Sequence, residues 1–544
     1  MTEKHNRSVR PDEQVPQTEV DQGSSAMDRR RFVNGLGLLA AGSLTSSAAV
    51  AQTGEAATAA GSAEAVAVLE QQTQRAQRWA GRDPGDWVRP RAGVDHNVVI
   101  VGGGQSGIAL AYGLRRKGVG KVEVIDSAAP GQAGIWRSVA RMHNLRTPKA
   151  IIGIERDNPM LAFRAWYETL NGSGAFNALD RIPRLAWADY VDWFQQVTAT
   201  TVRYRTRLLE IEPQGDLLRL HLETEGVRRV ETTRKVLLAN GYAAAGGANV
   251  PGFMRSLPGE FWTHTSDQIP LDTLAGKVVG VVGAGSSAFD AAAVALESGA
   301  VEVQMFNRRS FVGYPGGANA SGPSDRGHAN AREMEGDLPD VVRWRNFLRG
   351  DRSIATVPLD SIERVMAHDQ FRLHLESSLA NVDVDGGQIV ANVRGETRRF
   401  DQLIAGTGYQ INLSAQPELA GIYDSIALWR DRYEPESGEG SVAGGMHPYL
   451  GASFEFLPRG DSGAEYLRNI HCFNLSARLS FGMPIGDIPS SVDHPRLIAT
   501  IARDLYAESI DTGVHERFFS SPLATYDPTP YESAVQPPST EAAV

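Results

Sequence analysis

The stretch NVVIVGGGQSGIALAYGLRRKGVGKVEVIDS, residues 97–127, constrains the fold more than any other part of the chain. Asn97 to Val101 is a short apolar run that reads as a buried strand. Gly102, Gly104 and Gly107 follow with the spacing G-x-G-x-x-G. The first glycine permits a tight turn, the second lets the backbone approach a phosphate, and the third lets the next helix pack on the strand. Gln105 and Ser106 stand in this turn, where the unpaired N–H groups of the helix start face a pyrophosphate. Ile108 to Leu114 carry the helix and Lys121 to Ile125 a second strand. Asp126 ends that strand about 20 residues beyond Gly107, where a carboxylate binds ribose hydroxyls. Strand, turn, helix, strand and acid together form a dinucleotide-binding fingerprint.

GKVVGVVGAGSSAFDAAAVALESGAVEVQMFNRRS, residues 276–310, repeats the plan. Gly283 and Gly285 form the turn, Ser286 and Ser287 open the helix, and Ala288 replaces the third glycine. The second strand, Val301 to Phe306, ends in Asn307 rather than an acid, and Arg308 and Arg309 follow. A missing carboxylate beside guanidinium groups suits a 2′-phosphate, so NADP is expected here rather than NAD. Between the two units lie a helix-like segment, Trp187 to Val197, and alternating strands such as TVRYRTRLLEIEP. The expected fold is α/β, with two Rossmann-like dinucleotide-binding domains, the second inserted into the first.

At 544 residues the chain has room for two or three domains. A formal net charge of −10 argues against general nucleic-acid binding. The lone cysteine, Cys472, excludes an internal disulfide, a CxxC redox pair and a cysteine-rich zinc site, and reads as a small buried hydrophobe. No metal-ligand constellation is found: His368 and His374 are not spaced for one helical face. Trp166, Tyr167, Trp187, Tyr190 and Trp193 read as core at helical spacing, with the lining of a pocket as the alternative.

Residues 1–26 are polar and expected to be disordered. Residues 27–51 resemble a twin-arginine (Tat) signal peptide: Arg29, Arg30 and Phe32 precede a weakly apolar Gly/Ala/Ser run that ends in AAVAQ, with Ala49 and Ala51 at positions a signal peptidase favours. This implies export to the periplasm or cell exterior by the Tat machinery, and a cytoplasmic protein if the signal is not used. Residues 52–94 read as a linker and a helix from about Ala63 to Ala80, and residues 516–544 as a Pro/Ser-rich tail.

Over roughly Asn97 to Leu505 the chain resembles the class B flavoprotein monooxygenases, a group that includes flavin-containing monooxygenases, amine N-hydroxylases and Baeyer–Villiger enzymes. Besides the two fingerprints, Gly134 and Trp136 match a Gly-x-Trp segment after the ribose-binding acid. Ala239 and Gly241 match one Ala-Thr-Gly-like linker turn, with Asn240 in place of Thr; Thr407, Gly408 and Tyr409 match a second, with Gly406 in place of Ala. LRTPKA (Leu145 to Ala150), FRAWYE and IHCFNLSARLSFGMPIGDIPSS resemble a bacterial branch of predicted flavoproteins.

The resemblance assigns FAD to the first fingerprint and NADPH to the second. The FAD-binding domain then covers 95–245 and 405–515, and the NADP-binding domain 246–404. It implies that NADPH reduces FAD, that O2 gives a C4a-peroxyflavin, and that this oxygenates a small nucleophilic N- or S-containing substrate. Asp487, before the helix expected from about Val492, is placed near the flavin ring. The Baeyer–Villiger motif before the second fingerprint is broken: Pro258, Glu260 and Gln268 stand where Phe, Gly and Trp are required. His264 keeps its neighbourhood and is the one catalytic candidate, with a linker role as its alternative. Two other functions are compatible with the residues: a two-nucleotide reductase or dehydrogenase delivering electrons to a quinone or partner protein, and a non-catalytic FAD-binding subunit. Substrate and oligomeric state do not follow from the sequence.

Overall fold

The computed structural model describes residues 64–79, 85–313 apart from 152 and 157, 334–352, 356–523 apart from 462, and 525 and 527–536. The expected disordered segment 1–26 and signal 27–51 lie outside the described residues.

The first sheet is built on β1 (His96–Val101), whose inner residues Val98, Val99 and Ile100 are fully buried. A central parallel strand covered on both faces needs such an unbroken apolar run. β1 pairs in parallel with β2 (Val122–Ile125) on one side and β5 (Val227–Leu238) on the other. β3 (Thr206–Gln214), β4 (Leu217–Thr224) and β5 form an antiparallel meander. The twelve residues of β5 divide in two: its N-terminal half is largely exposed and pairs with β4, while its buried C-terminal half pairs in parallel with β14 (Ile470–Cys472).

The second sheet has the order β6-β13-β7-β8-β9, all parallel: β6 (Trp262–His264), β7 (Val278–Val282), β8 (Glu302–Phe306), β9 (Phe371–His374) and β13 (Gln402–Ala405). Between β9 and β13 runs a small antiparallel meander, β10 (Ala380–Asp385), β11 (Gln388–Val393) and β12 (Glu396–Phe400). Every strand of this second sheet falls, in chain order, between β5 and β14 of the first. The second unit is therefore an insertion into the first.

Helix α1 (Gln105–Arg116) follows β1, and α4 (Ser286–Glu297) follows β7. α2 (Phe163–Asn171) and α3 (Arg184–Val197) carry the aromatic cluster: Trp166, Trp187, Tyr190 and Trp193 are buried and Tyr167 half-buried, with Phe163 packed among them. α5 (Leu359–Met366) covers α4, and α6 (His494–Ser509) packs on α1. Lys235, buried in β5, ties α6 down through Asp504 at 3.0 Å and also donates to Asn469, just before β14, at 3.1 Å. Cys472 is fully buried, and desolvation pushes its thiol up to about 12, so it is an inert core side chain. The expected helix near residue 63 covers 64–79. The expected tail begins inside a helix, Thr512–Ser520, because Asp511 caps it by accepting the Gly513 N–H at 3.0 Å. No helix among the described residues is long and apolar enough to cross a membrane.

Candidate active site

Both glycine turns open into one groove of about 1600 Å3. It exceeds the roughly 300–1,000 Å3 of a pocket for one small molecule, as a meeting place for two dinucleotides must. From the first turn it is lined by Gly102, Gly104, Gln105 and Ser106, and from the second by Gly285, Ser286 and Ser287.

The first turn is closed by sterics. A Cβ on Gly107 would sit 1.8 Å from the Gly102 carbonyl oxygen, and one on Gly102 2.3 Å from the Ala239 oxygen. Gly104 faces Gly134 across the groove, where a Cβ would come to 3.4 Å from the Gly134 Cα. The two glycines leave a backbone-walled channel wide enough for a pyrophosphate. α1 starts at Gly104 and α4 at Gly285; neither has a side-chain cap or an acidic residue in its first turn. Their free N–H groups and positive dipole ends thus remain available to phosphate oxygens. Asp126 accepts the N–H of Gly103 and of Ala128, each at 2.7 Å, which fixes its carboxylate at the groove wall where ribose hydroxyls would reach it. These features fit FAD at the first turn and a second dinucleotide at the other.

Trp136 lines the groove and donates its indole N–H to Gln105 Oε1 at 3.1 Å. The same oxygen accepts from Trp187 at 2.9 Å, and Gln105 Nε2 donates to the Gly486 carbonyl at 3.4 Å. Gln105 thus joins the first turn, the aromatic cluster and the GDIPSS segment, whose Gly486, Asp487 and Ile488 also line the groove.

Thr407 and Gly408 line the groove at the crossing between the two sheets. Thr407 donates its hydroxyl to the Asn249 carbonyl at 2.5 Å, and the Asn249 N–H donates to the Gly408 carbonyl at 2.9 Å. The two connecting segments are therefore bonded side by side.

Gly107 and Gly283 shape their turns without lining the groove. Arg308 and Arg309 are exposed at the end of β8, outside its lining. His264 is also outside it: the ring is fully buried at the end of β6, accepts the Ser266 N–H on Nδ1 at 3.0 Å and packs edge-on against Tyr409, 6.0 Å between centroids. Burial lowers its pKa, which favours the neutral imidazole, and it meets the groove lining through Ser266 and Tyr409.

Groove residues that escaped the sequence reading include Arg141, Arg146, Asp290, Tyr242 and Arg478. Arg146 Nη2 meets Asp290 Oδ2 at 2.5 Å, across the gap between the LRTPKA segment and α4. The phenol of Tyr242 is held protonated, its pKa raised first by burial and then by the charge of Asp487. An arginine and an aspartate 144 positions apart carry no local signal of their pairing.

Known proteins match the chain at two levels. Residues 99–243 match a family described as FAD-NAD(P)-binding, and residues 175–312 one described as L-lysine 6-monooxygenase/L-ornithine 5-monooxygenase. The FAD-dependent urate hydroxylase of Xanthomonas campestris pv. campestris is 36% identical over 429 residues, which is 78% of this chain and 89% of that protein. Among solved structures, the ornithine hydroxylase PvdA of Pseudomonas aeruginosa superposes with a TM-score of 0.59 at 18% identity, over 75% of this chain and 99% of that one. L-lysine 6-monooxygenase of Pseudomonas syringae gives 0.57 at 19% identity, over 76% and 100%. At those identities the two structures share the fold.

Proposed function

The chain belongs to the flavin-dependent monooxygenase family, and we propose that it uses FAD and NADPH to oxygenate a small, anionic, nitrogen-containing heterocycle. The observation that carries this reading is the single groove shared by both glycine turns, with Arg141, Arg146 and Arg478 in its lining. The relative that matches most of the chain is named for urate, a planar nitrogen heterocycle that is an anion at neutral pH. Guanidinium groups recognise such a ligand by charge and by planar, paired N–H donation.

FAD and NADPH would supply the redox chemistry, hydride transfer followed by O2 activation. The protein's part is placement. Asp126 and the N-terminus of α1 hold the flavin's ribose and phosphates; the N-terminus of α4 holds those of NADPH, with Arg308 and Arg309 at its 2′-phosphate. Trp136, Ile488 and the Gly486–Asp487 segment wall the groove against water. Tyr242 and Tyr409, kept protonated by burial, offer neutral O–H donors to the substrate. His264 positions Tyr409. In this reading 95–245 with 405–515 bind FAD and 246–404 bind NADP. The twin-arginine segment would carry the folded, flavin-loaded protein across the membrane.

Steady-state assays of the purified protein with NADPH, O2 and urate test the activity. Stoichiometric consumption of all three supports it; NADPH oxidation that urate neither accelerates nor couples to product removes this substrate class. Fractionation of cells carrying wild type or Arg29→Lys/Arg30→Lys tests export, and identical cytosolic retention of both would exclude it.

A further inference from the structure

A second cavity of about 510 Å3 adjoins the groove and shares Ser138, Ala140, Arg141 and Gln268 with it. Four guanidinium groups line it, from Arg137, Arg141, Arg184 and Arg364, together with His143. Among the described residues its lining holds one carboxylate, Glu297.

The pairing of these charges is uneven. Arg364 donates to both Glu297 oxygens at 2.8 Å. Arg137 turns to Asp189 and Asp192 on α3, both at 2.6 Å, and neither acid lines the cavity. Arg141 and Arg184 have main-chain carbonyls instead. Arg141 donates to Val139 at 2.9 Å, to Thr265 at 2.7 Å and to Asp267; Arg184 donates to Met142 at 2.9 Å and to Trp136. Carbonyl dipoles fix the orientation of a guanidinium without neutralising its charge. Two further acids act from outside the lining: Asp267, whose charge reaches Arg141, and Asp290, which is held by Arg146 at 2.5 Å and Ser361 at 2.6 Å and lies 3.6 Å from Arg364. Burial lowers the pKa of Arg184, and the repulsion of Arg364 and Arg137 lowers it further. Arg141 and Arg184, with carbonyls but no carboxylate at hydrogen-bond distance, favour an anion in the cavity.

We propose that this cavity binds a small multivalent oxyanion, a phosphate or a di- or tricarboxylate, held chiefly by Arg184 and Arg141. The site is distinct from the dinucleotide phosphates. Val294 and Glu297 place it at the C-terminal end of α4, roughly 16 Å along the helix from the Gly285 turn at 1.5 Å per residue. Its walls come from both units: Arg137 to His143 and Arg184 from the first, Leu271, Val294, Glu297 and Arg364 from the second. A bound anion would clamp the two together beside the groove. Arg141 lines both cavities, whereas Arg184 lines this one and not the groove, so Arg184 separates this site from the substrate proposed above.

Calorimetric titration of the FAD-loaded full chain tests it, with NADP+ saturating and ionic strength held constant with KCl. Inorganic phosphate is the titrant in one arm and citrate in the other. Saturable 1:1 binding in either arm is expected, and the arm that binds tighter identifies the class. Arg184→Gln should weaken it at least 10-fold. Glu297→Gln, which deletes the competing carboxylate, should tighten it several-fold and decides the matter if Arg184→Gln fails to fold or retain FAD. Absence of saturable binding in both arms overturns the proposal. So does binding indifferent to both substitutions, or binding lost instead with Arg308→Ala.

Discussion

Arg146 and Asp290 close the groove from opposite sides, 2.5 Å apart, with the aspartate side chain 3% exposed and the arginine 36%. Asp290 also accepts from Ser361 at 2.6 Å and lies 3.6 Å from Arg364, so α4 and α5 converge on one buried carboxylate. Asp290→Asn keeps the shape and removes the charge. Because Arg146 can turn to water, the loss should be about 1–2 kcal/mol rather than the 3–5 of a fully buried pair, visible as a fall of a few degrees in Tm. The KM for NADPH should rise several-fold while the flavin-to-protein ratio stays unchanged. Loss of flavin with an unaltered KM would show that the pair serves the first unit instead.

The first turn predicts a ranking of glycine substitutions. Gly107→Ala drives a Cβ to 1.8 Å from a main-chain oxygen that cannot move without dismantling the turn. It should yield protein without flavin and much reduced soluble expression. Gly104→Ala brings its Cβ to 3.4 Å from Gly134, which the fold tolerates, but it narrows the channel for the pyrophosphate. It should fold with near-wild-type far-UV circular dichroism and lose flavin on dialysis. Flavin held by Gly104→Ala through dialysis as tightly as by the wild type would contradict the proposed cofactor path.

The glycine turns were legible in the sequence because the constraint is local: the glycines that must lack a Cβ lie within a few residues of one another. For the same reason the strands and helices around both turns match expectation to within a few residues, and the insertion follows from the order of the two units. The groove's polar contacts were not legible. Arg146 and Asp290, or Gln105 and Trp187, meet only after the sheets have placed their segments, and nothing in either local stretch marks the partner. The split pairing of β5 was hidden too, since neither its charged first half nor its apolar second half marks the strand it pairs with.

Gln105 offers a test of such a contact. One amide oxygen accepts two indole N–H groups, and Trp187 is buried where water cannot replace it. Gln105→Leu should destabilise the protein by about 1–3 kcal/mol, the range for an orphaned buried donor, read from urea denaturation. Gln105→Glu retains the acceptor and should recover most of the loss near neutral pH. Equal destabilisation by both would assign the effect to packing.

His494 predicts an acid limit to stability. Its ring is 1% exposed, neither nitrogen has a hydrogen-bond partner among the described residues, and burial depresses its pKa to about 3 from 6.5. The unfolded chain therefore binds this proton more readily than the folded one. Stability is fully present above pH 6.5 and declines as pH falls towards 3, with a slope of up to about 1.4 kcal/mol per pH unit from this group. His471, depressed to about 3, and His447, to about 4, act in the same direction. His494→Phe, beside Phe473 at 5.3 Å, should remove one proton's worth of slope between pH 4 and 6. A denaturation series with an unchanged slope would show that the imidazole is protonated in both states across that window.

Arg308 and Arg309 bear on which nucleotide the second turn takes. They follow β8 in a tight bend in which Asn307 Oδ1 accepts the Arg309 N–H at 3.2 Å and Asn307 Nδ2 donates to the Phe311 carbonyl at 2.9 Å. No acid ends β8 to bind a 2′-hydroxyl or to repel a phosphate, so both exposed guanidiniums are available to the 2′-phosphate of NADPH. A charge-assisted hydrogen bond contributes about 1.5–3 kcal/mol, less when exposed and screened by salt. Arg308→Ala/Arg309→Ala should therefore raise the KM for NADPH about 10- to 100-fold at low ionic strength. The KM for NADH, which lacks that phosphate, should stay within about twofold, and kcat at saturating NADPH should not change. The preference should also shrink as salt is added to the wild type. An unaltered NADPH-to-NADH ratio in the double variant would place recognition of the phosphate elsewhere on the second unit.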